Sequence, residues 1–273
     1  MNTDTHDPLA FLTDARHSRR ALLSGVSTLG AGLALTHMGL LRPATAGAAN
    51  NLNPAAEETE QVQDILDILA TNEAFGVTLV GTVFDSAKHG TYSPAIPAKV
   101  LTILTGVRAQ EQFHLDFLQG AGAKLLTETF HIPDPKMLQD PKTLFKDLVE
   151  LEDAAIAAVM ASMQTFTREQ RFDLVKANGQ FATEEAEHRL LANHALGIRP
   201  ANDHAFAPMM FATVAEFLAL LKKKGIIGGS GKAVTYPGPG DPVDPTGVIY
   251  RTPGGPLVRC AQPSTPDAGT PSA

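Results

Sequence analysis

Apolar residues recur every three to four positions from about residue 57 to about residue 224, the spacing of one face of an α-helix. No stretch alternates apolar and polar residues long enough to predict a convincing strand. The first predicted helix covers 57–87 on the stripe Val62, Ile65, Leu66, Leu69, Phe75, Val77, Val80 and Phe84, and Lys88-His89-Gly90 ends it. The second begins near Ser93-Pro94, with serine as cap and proline in the first turn, and runs to about Gly120. Residues 121–140 read as a long connection, because "HIPDPK" argues against helix. Asp140-Pro141 opens a third helix that reaches about Phe166. Thr167 and Gln170 read as a capping box for a fourth, 168–196, which Gly197 and Pro200 close. Pro208 precedes a fifth, 209–224, in which Met209 and Met210 are expected to pack.

The links between these elements carry topology. Helices one and two, and three and four, are joined by short links, so each pair is expected to be antiparallel. The link between two and three has about 20 residues and, extended, reaches roughly 60 Å. That length permits a crossover that leaves helices two and three parallel. The expected fold is therefore all-α: a four-helix bundle over 55–200, a fifth helix over 201–224, and a Pro/Gly-rich tail over 225–273 that is extended or disordered.

Acidic residues interrupt the apolar stripes at one place per helix. Glu73 lies among Leu69, Ala70, Gly76 and Val77, and Glu152 among Leu148, Val149, Ala155 and Ile156. Glu111 follows Val107 and precedes His114 and Leu115, and Glu185 lies with Phe181, Ala182 and His188. Glu150, Glu184 and Glu187 have polar or charged helical neighbours and belong on a wet face, where Glu184 or Glu187 can still support ligands from behind. "EQFH" and "EAEH" place a histidine three residues after a glutamate, on the same helix face. Four buried carboxylates are costly unless compensated. Two divalent cations carry the matching charge, and one histidine completes the ligands of each. Glu73, Glu111, His114, Glu152, Glu185 and His188 are thus candidate metal ligands, and His194 is expected at the surface. Carboxylate oxygens with imidazole suit iron or manganese.

With "TNEAFGVTL", "QEQFHLDFL", "ELEDAAIAA" and "TEEAEHRLL", residues 57–196 resemble the ferritin-like superfamily of di-iron and di-manganese carboxylate proteins, in its exported and desiccation-related branch. The resemblance implies a ferritin-like bundle holding two Fe or Mn ions. Glu73 and Glu152 would be single-carboxylate ligands, Glu111 and Glu185 would bridge or chelate, and His114 and His188 would be terminal ligands. It also implies redox handling of Fe(II), dioxygen or peroxide in stress protection, and a possible homodimer. A non-catalytic protective or binding protein with structural metals, or none, is the alternative.

The N-terminus and composition bound the setting. "SRRALL" precedes a weakly apolar run and the small-residue stretch "ATAGAA", which resembles a twin-arginine export signal with Arg19 and Arg20 as the pair. Leu22 and Ser24 depart from the residues common there. Cleavage after Ala46 or Ala48 would leave an exported, periplasmic or extracytoplasmic protein that met the twin-arginine translocase. The alternative is an uncleaved anchor, since the run is about long enough to span a bilayer. The net charge of −7, with no basic block before Lys222–Lys224, argues against nucleic acid as a partner. The single cysteine, Cys260, excludes an intrachain disulfide and a rubredoxin-type iron site. Tryptophan is absent, and Tyr92, Tyr236 and Tyr250 adjoin no candidate ligand in sequence, which argues against a stored tyrosyl radical.

Overall fold

The computed structural model describes residues 60–238. The export-signal reading of 1–46, the segment before residue 60, and 239–273 with Tyr250 and Cys260 lie outside the described residues. The described chain is mostly helical: α1 (Val62–Lys88), α2 (Ala98–Gly120), α3 (Pro141–Arg168), α4 (Phe172–Ala195) and α5 (Val214–Lys223). The closest pairings are α3 with α4 and α1 with α2, while α1 also touches α3 and α2 touches α4. α1 is long and apolar enough to cross a membrane by composition alone, yet 72 % of its apolar window is buried among the other elements. Its apolarity is that of a core helix.

Local chemistry sets the helix ends, not always where the sequence suggests. Asp140 caps α3 as expected: its carboxylate accepts from the Lys142 and Thr143 amides, both at 3.1 Å, and Pro141 occupies the first turn. The Thr143 hydroxyl and those amides hold the Asp140 carboxyl below its usual range. The second helix starts at Ala98, later than expected, because Pro97 disfavours helical backbone at Ile96. Thr167 is not a cap either. It lies inside α3, which runs on to Arg168, and the chain turns instead through Gln170 at φ 56°. α5 begins after Thr213, so Met209 and Met210 precede it and are 68 % and 46 % exposed rather than packed.

Two short strands correct the expectation of no strand. β1 (Thr129–Ile132), in the connection between α2 and α3, pairs antiparallel with β2 (Lys232–Thr235), Phe130 facing Val234. Each has four residues, too few to print an alternation in the sequence. The start of the tail is therefore extended but fixed: Ile226 and Tyr236 are buried, and the Tyr236 amide donates to the Glu128 carbonyl at 2.8 Å. Gly231 permits the approach, since a Cβ there would lie 2.1 Å from the Ile132 carbonyl oxygen.

The connection between α2 and α3 is tied to both ends of α1. Gln63 donates to the Gly122 carbonyl, Asp67 accepts from the Lys124 amide, and the Thr71 hydroxyl accepts from the Leu126 amide. Past the other end of α1, Thr91 and the buried Tyr92 hydroxyl donate to the carbonyls of Leu138 and Met137. Met137 and Leu138 belong to a short 3-10 helix (Pro135–Leu138) that buries both side chains.

Candidate metal centre

Each of the four long helices brings one glutamate inward near its middle. Glu73, Glu111 and Glu185 are buried, and Glu152 is partly buried. His114 and His188, one turn after Glu111 and Glu185, are buried as well. All six predicted ligands meet in the core. They form two groups, Glu73, Glu111, His114 and Glu185, and Glu111, Glu152, Glu185 and His188. Within each group the candidate ligand atoms lie within 4.8 Å of one another, and Glu111 and Glu185 belong to both.

The histidines define the geometry. His114 Nδ1 is 3.1 Å from Glu73 Oε2 and 3.4 Å from Glu185 Oε1. His188 Nδ1 is 3.2 Å from Glu111 Oε1 and 3.4 Å from Glu185 Oε2. Each imidazole therefore aims one nitrogen between two carboxylates from different positions. Gly76 makes room for the third wall: a Cβ there would lie 2.6 Å from Glu111 Oε2. Any larger residue on α1 would displace the shared carboxylate.

Protons compensate these charges in the metal-free chain. Burial and then the charges of Glu111 and Glu185 raise Glu73 well above the usual carboxylate range. Burial and then Glu185 do the same to Glu152. Burial also opposes ionisation of Glu185, but the imidazoles of His114 and His188, each 3.4 Å away, prevail and hold it low. Burial disfavours charged imidazole, yet Glu185 and Glu73 push His114 up to about 10, and Glu111 and Glu185 push His188 up to about 10. The metal-free core thus has charged imidazoles around an ionised Glu185.

Two observations fit a cation to this site. Glu185 Oε1 and His188 Nδ1 are buried side-chain atoms whose approaches, to His114 Nδ1 at 3.4 Å and to Glu111 Oε1 at 3.2 Å, lack hydrogen-bond geometry. Such atoms are costly unless something else satisfies them. The donor set, carboxylate oxygens plus one imidazole nitrogen per group, is that of a hard to borderline divalent metal. These buried Glu and His groups can hold a metal ion.

Sequence reading did not find Gln110. Its Oε1 lies 3.1 Å from His188 Nε2, and its Nε2 donates to Glu184 Oε2 at 3.3 Å. The Gln110 carbonyl oxygen can accept a hydrogen bond from Nε2–H, which would leave Nδ1 of a neutral His188 as the ligand atom. Glu184 is half-buried and anchors Gln110 from behind, while Glu187 and Glu150 are exposed. Only the position of Gln110, immediately before Glu111, hinted at this role. His194 is exposed at the end of α4. Comparison with protein-family models, curated proteins and solved structures returns no match.

Proposed function

We propose that this chain is an exported ferritin-like di-metal carboxylate protein that handles Fe(II), dioxygen or peroxide in stress protection. The observation that carries the reading is the pair of buried ligand groups sharing Glu111 and Glu185. Two ions held by shared carboxylates supply paired one-electron redox chemistry when bound. The chain's own part is to fix ligand geometry, exclude water and take up protons. Glu73 with His114 would complete one ion's shell, and Glu152 with His188 the other's. Iron and manganese both suit this donor set.

The arrangement of the helices supports a ferritin-like bundle. The ties of residues 122–126 to Gln63–Thr71 and of 137–138 to Thr91–Tyr92 carry the connection along the length of α1. A cleft beside the ligands is lined by Leu79 and Val80 of α1, Val100, Leu104 and Val107 of α2, Phe145 and Leu148 of α3, and Leu191 and Ala195 of α4. From the ligand layer these lie forward along the chain in α1 and α4 and backward in α2 and α3. This order supports parallel α2 and α3, as a crossover would require.

Elemental analysis of protein exported from its own kind of cell tests the reading. We expect about two iron or manganese ions per chain, lost together in Glu185→Ala, since that carboxylate serves both groups. Ferroxidase assays follow if the metal is iron and catalase assays if it is manganese. A folded helical protein that takes up neither metal overturns the proposal.

A further inference from the structure

The two ligand groups share Glu111 and Glu185, so an ion in either one partly neutralises the carboxylates the other needs. Sharing therefore makes the second ion bind more weakly than the first. It leaves open which group fills first. That depends on how firmly the unshared ligands are already held, since an ion that finds its ligands fixed has less to order on binding.

Glu152 and His188 are held from behind. Asp153 follows Glu152 on α3, Arg189 follows His188 on α4, and Arg189 Nε donates to Asp153 Oδ1 at 2.6 Å. This bond joins the two helices directly beside both unshared ligands of one group. Arg189 is buried, with 7 % of its surface exposed. Its Nη1 donates to Asp203 Oδ1 at 2.7 Å, and its Nη2 faces His204 Nε2 at 3.0 Å. Each guanidinium nitrogen thus has a partner. The loop that carries Asp203 is fixed in turn by buried Asn193, whose Nδ2 donates to the Ala201 carbonyl at 3.0 Å and to Asp203 Oδ1 at 3.3 Å. The His188 ring is tied besides to Gln110.

Glu73 and His114 lack that backing. The residues that follow them are Ala74 and Leu115, which carry no side-chain donor or acceptor. Glu73 Oε1 accepts only a long bond, 3.4 Å, from Asn72 of its own helix. Among the described residues, His114 bonds through Nδ1, to Glu73 Oε2, and Nδ1 is the atom a metal would take. Its ring otherwise packs on Phe181, with centroids 4.3 Å apart. A bond does cross between α1 and α2, from Arg108 Nε to the Val77 carbonyl at 3.2 Å. It lies about one turn from Glu73 and Glu111, not beside the unshared ligands.

We infer that Arg189 is a positioning residue for the His188 group: with Asp153 and the loop 201–204 it holds Glu152 and His188 in place, so that this group takes the first ion and the Glu73–His114 group takes the second, exchangeable one. This inference rests on the metal-centre reading and gives its two ions unequal roles.

The test titrates the metal-free full chain with manganese(II) and follows bound metal by electron paramagnetic resonance, in which isolated and paired ions give different spectra. We expect the first equivalent to appear as isolated ions and the second to pair with them. Glu73→Ala should hold its remaining ion at least roughly tenfold more tightly than Glu152→Ala does. Arg189→Met keeps the bulk of the side chain without its donors. Added to Glu73→Ala, it should weaken binding roughly 10- to 100-fold; added to Glu152→Ala, it should leave binding unchanged. A merely structural role would weaken both. Asp153→Ala, which leaves Arg189 its bonds to Asp203 and His204, repeats the comparison should Arg189→Met fail to fold. Arg171→Met removes an exposed arginine beside the start of α4 and should change neither background. Pairing of ions from the first addition, tighter binding in Glu152→Ala than in Glu73→Ala, or equal effects of Arg189→Met in both backgrounds overturns the inference and leaves the metal centre standing. Absence of bound iron and manganese overturns the metal-centre reading instead, through the elemental analysis.

Discussion

At the scale of single residues, the two ligand groups make separable predictions. Glu73 and His114 belong to one group, Glu152 and His188 to the other. Glu73→Ala should therefore lower metal content from about two ions per chain to about one, as should His188→Ala, whereas Glu111→Ala should lose nearly all. Elemental analysis of the three variants checks this, and equal losses in all of them would contradict two distinct groups. Gly76 gives a test with opposed signs. Alanine has the better helix propensity, by up to about 1 kcal/mol, so Gly76→Ala should not lower the melting temperature of the metal-free protein. Its Cβ nonetheless enters the space of Glu111 Oε2, and metal affinity should fall roughly 10- to 100-fold. A titration with either metal, beside a thermal melt, reads both effects. The six candidate ligands could be found from sequence because each glutamate broke an apolar stripe at helical spacing. Gln110 could not, since a glutamine beside a glutamate is ordinary and its bond to His188 joins residues 78 positions apart.

At the scale of elements, helix existence was legible and helix ends were less so. The interiors of α1 to α4 follow the 3.6-residue stripe that burial demands. Ends depend on contacts from elsewhere in the chain. The amides of Val214 and Ala215 at the start of α5 are taken by the carboxylate of Glu60, at 3.0 and 2.6 Å. That cap comes from about 154 residues away, so no local pattern announces where α5 begins. Glu60→Ala should cost about 1 kcal/mol of stability, the usual worth of a helix cap, and a denaturant melt measures it. An unchanged midpoint would mean that Thr213 or Glu216 suffices. The strands are a similar case: β1 and β2 lie about a hundred residues apart, and only their pairing makes them strands. Gly231→Val should destabilise the protein by more than roughly 2 kcal/mol through collision with the Ile132 carbonyl.

At the scale of the whole molecule, the buried glutamate–histidine cluster couples folding to protons. The folded metal-free chain holds His114 and His188 at about 10, above the ordinary value of 6.5. Their contribution to its stability is full below pH 6.5 and is lost as pH rises through 10. Raised Glu73 and Glu152 act in the same direction, losing their contribution as pH rises from the ordinary carboxylate range. Metal must displace these protons, so each one released should raise affinity roughly tenfold per pH unit. We expect the rise in melting temperature on metal loading to grow from pH 6 to pH 8, with proton release measurable in weak buffer. A metal-induced rise that shrinks over that range would contradict proton displacement. The sequence by itself determined the helical class and the six inward polar positions, because both are periodic and local: a buried face repeats every 3.6 residues, and a misplaced charge on it stands out. Only the tertiary structure decided how those positions divide into two groups sharing Glu111 and Glu185, that Gly76 opens space for one of them, that Gln110 orients His188, and that an apolar cleft reaches the floor of the site. Each of these depends on atoms brought together by packing from distant segments, and packing leaves no period in the chain.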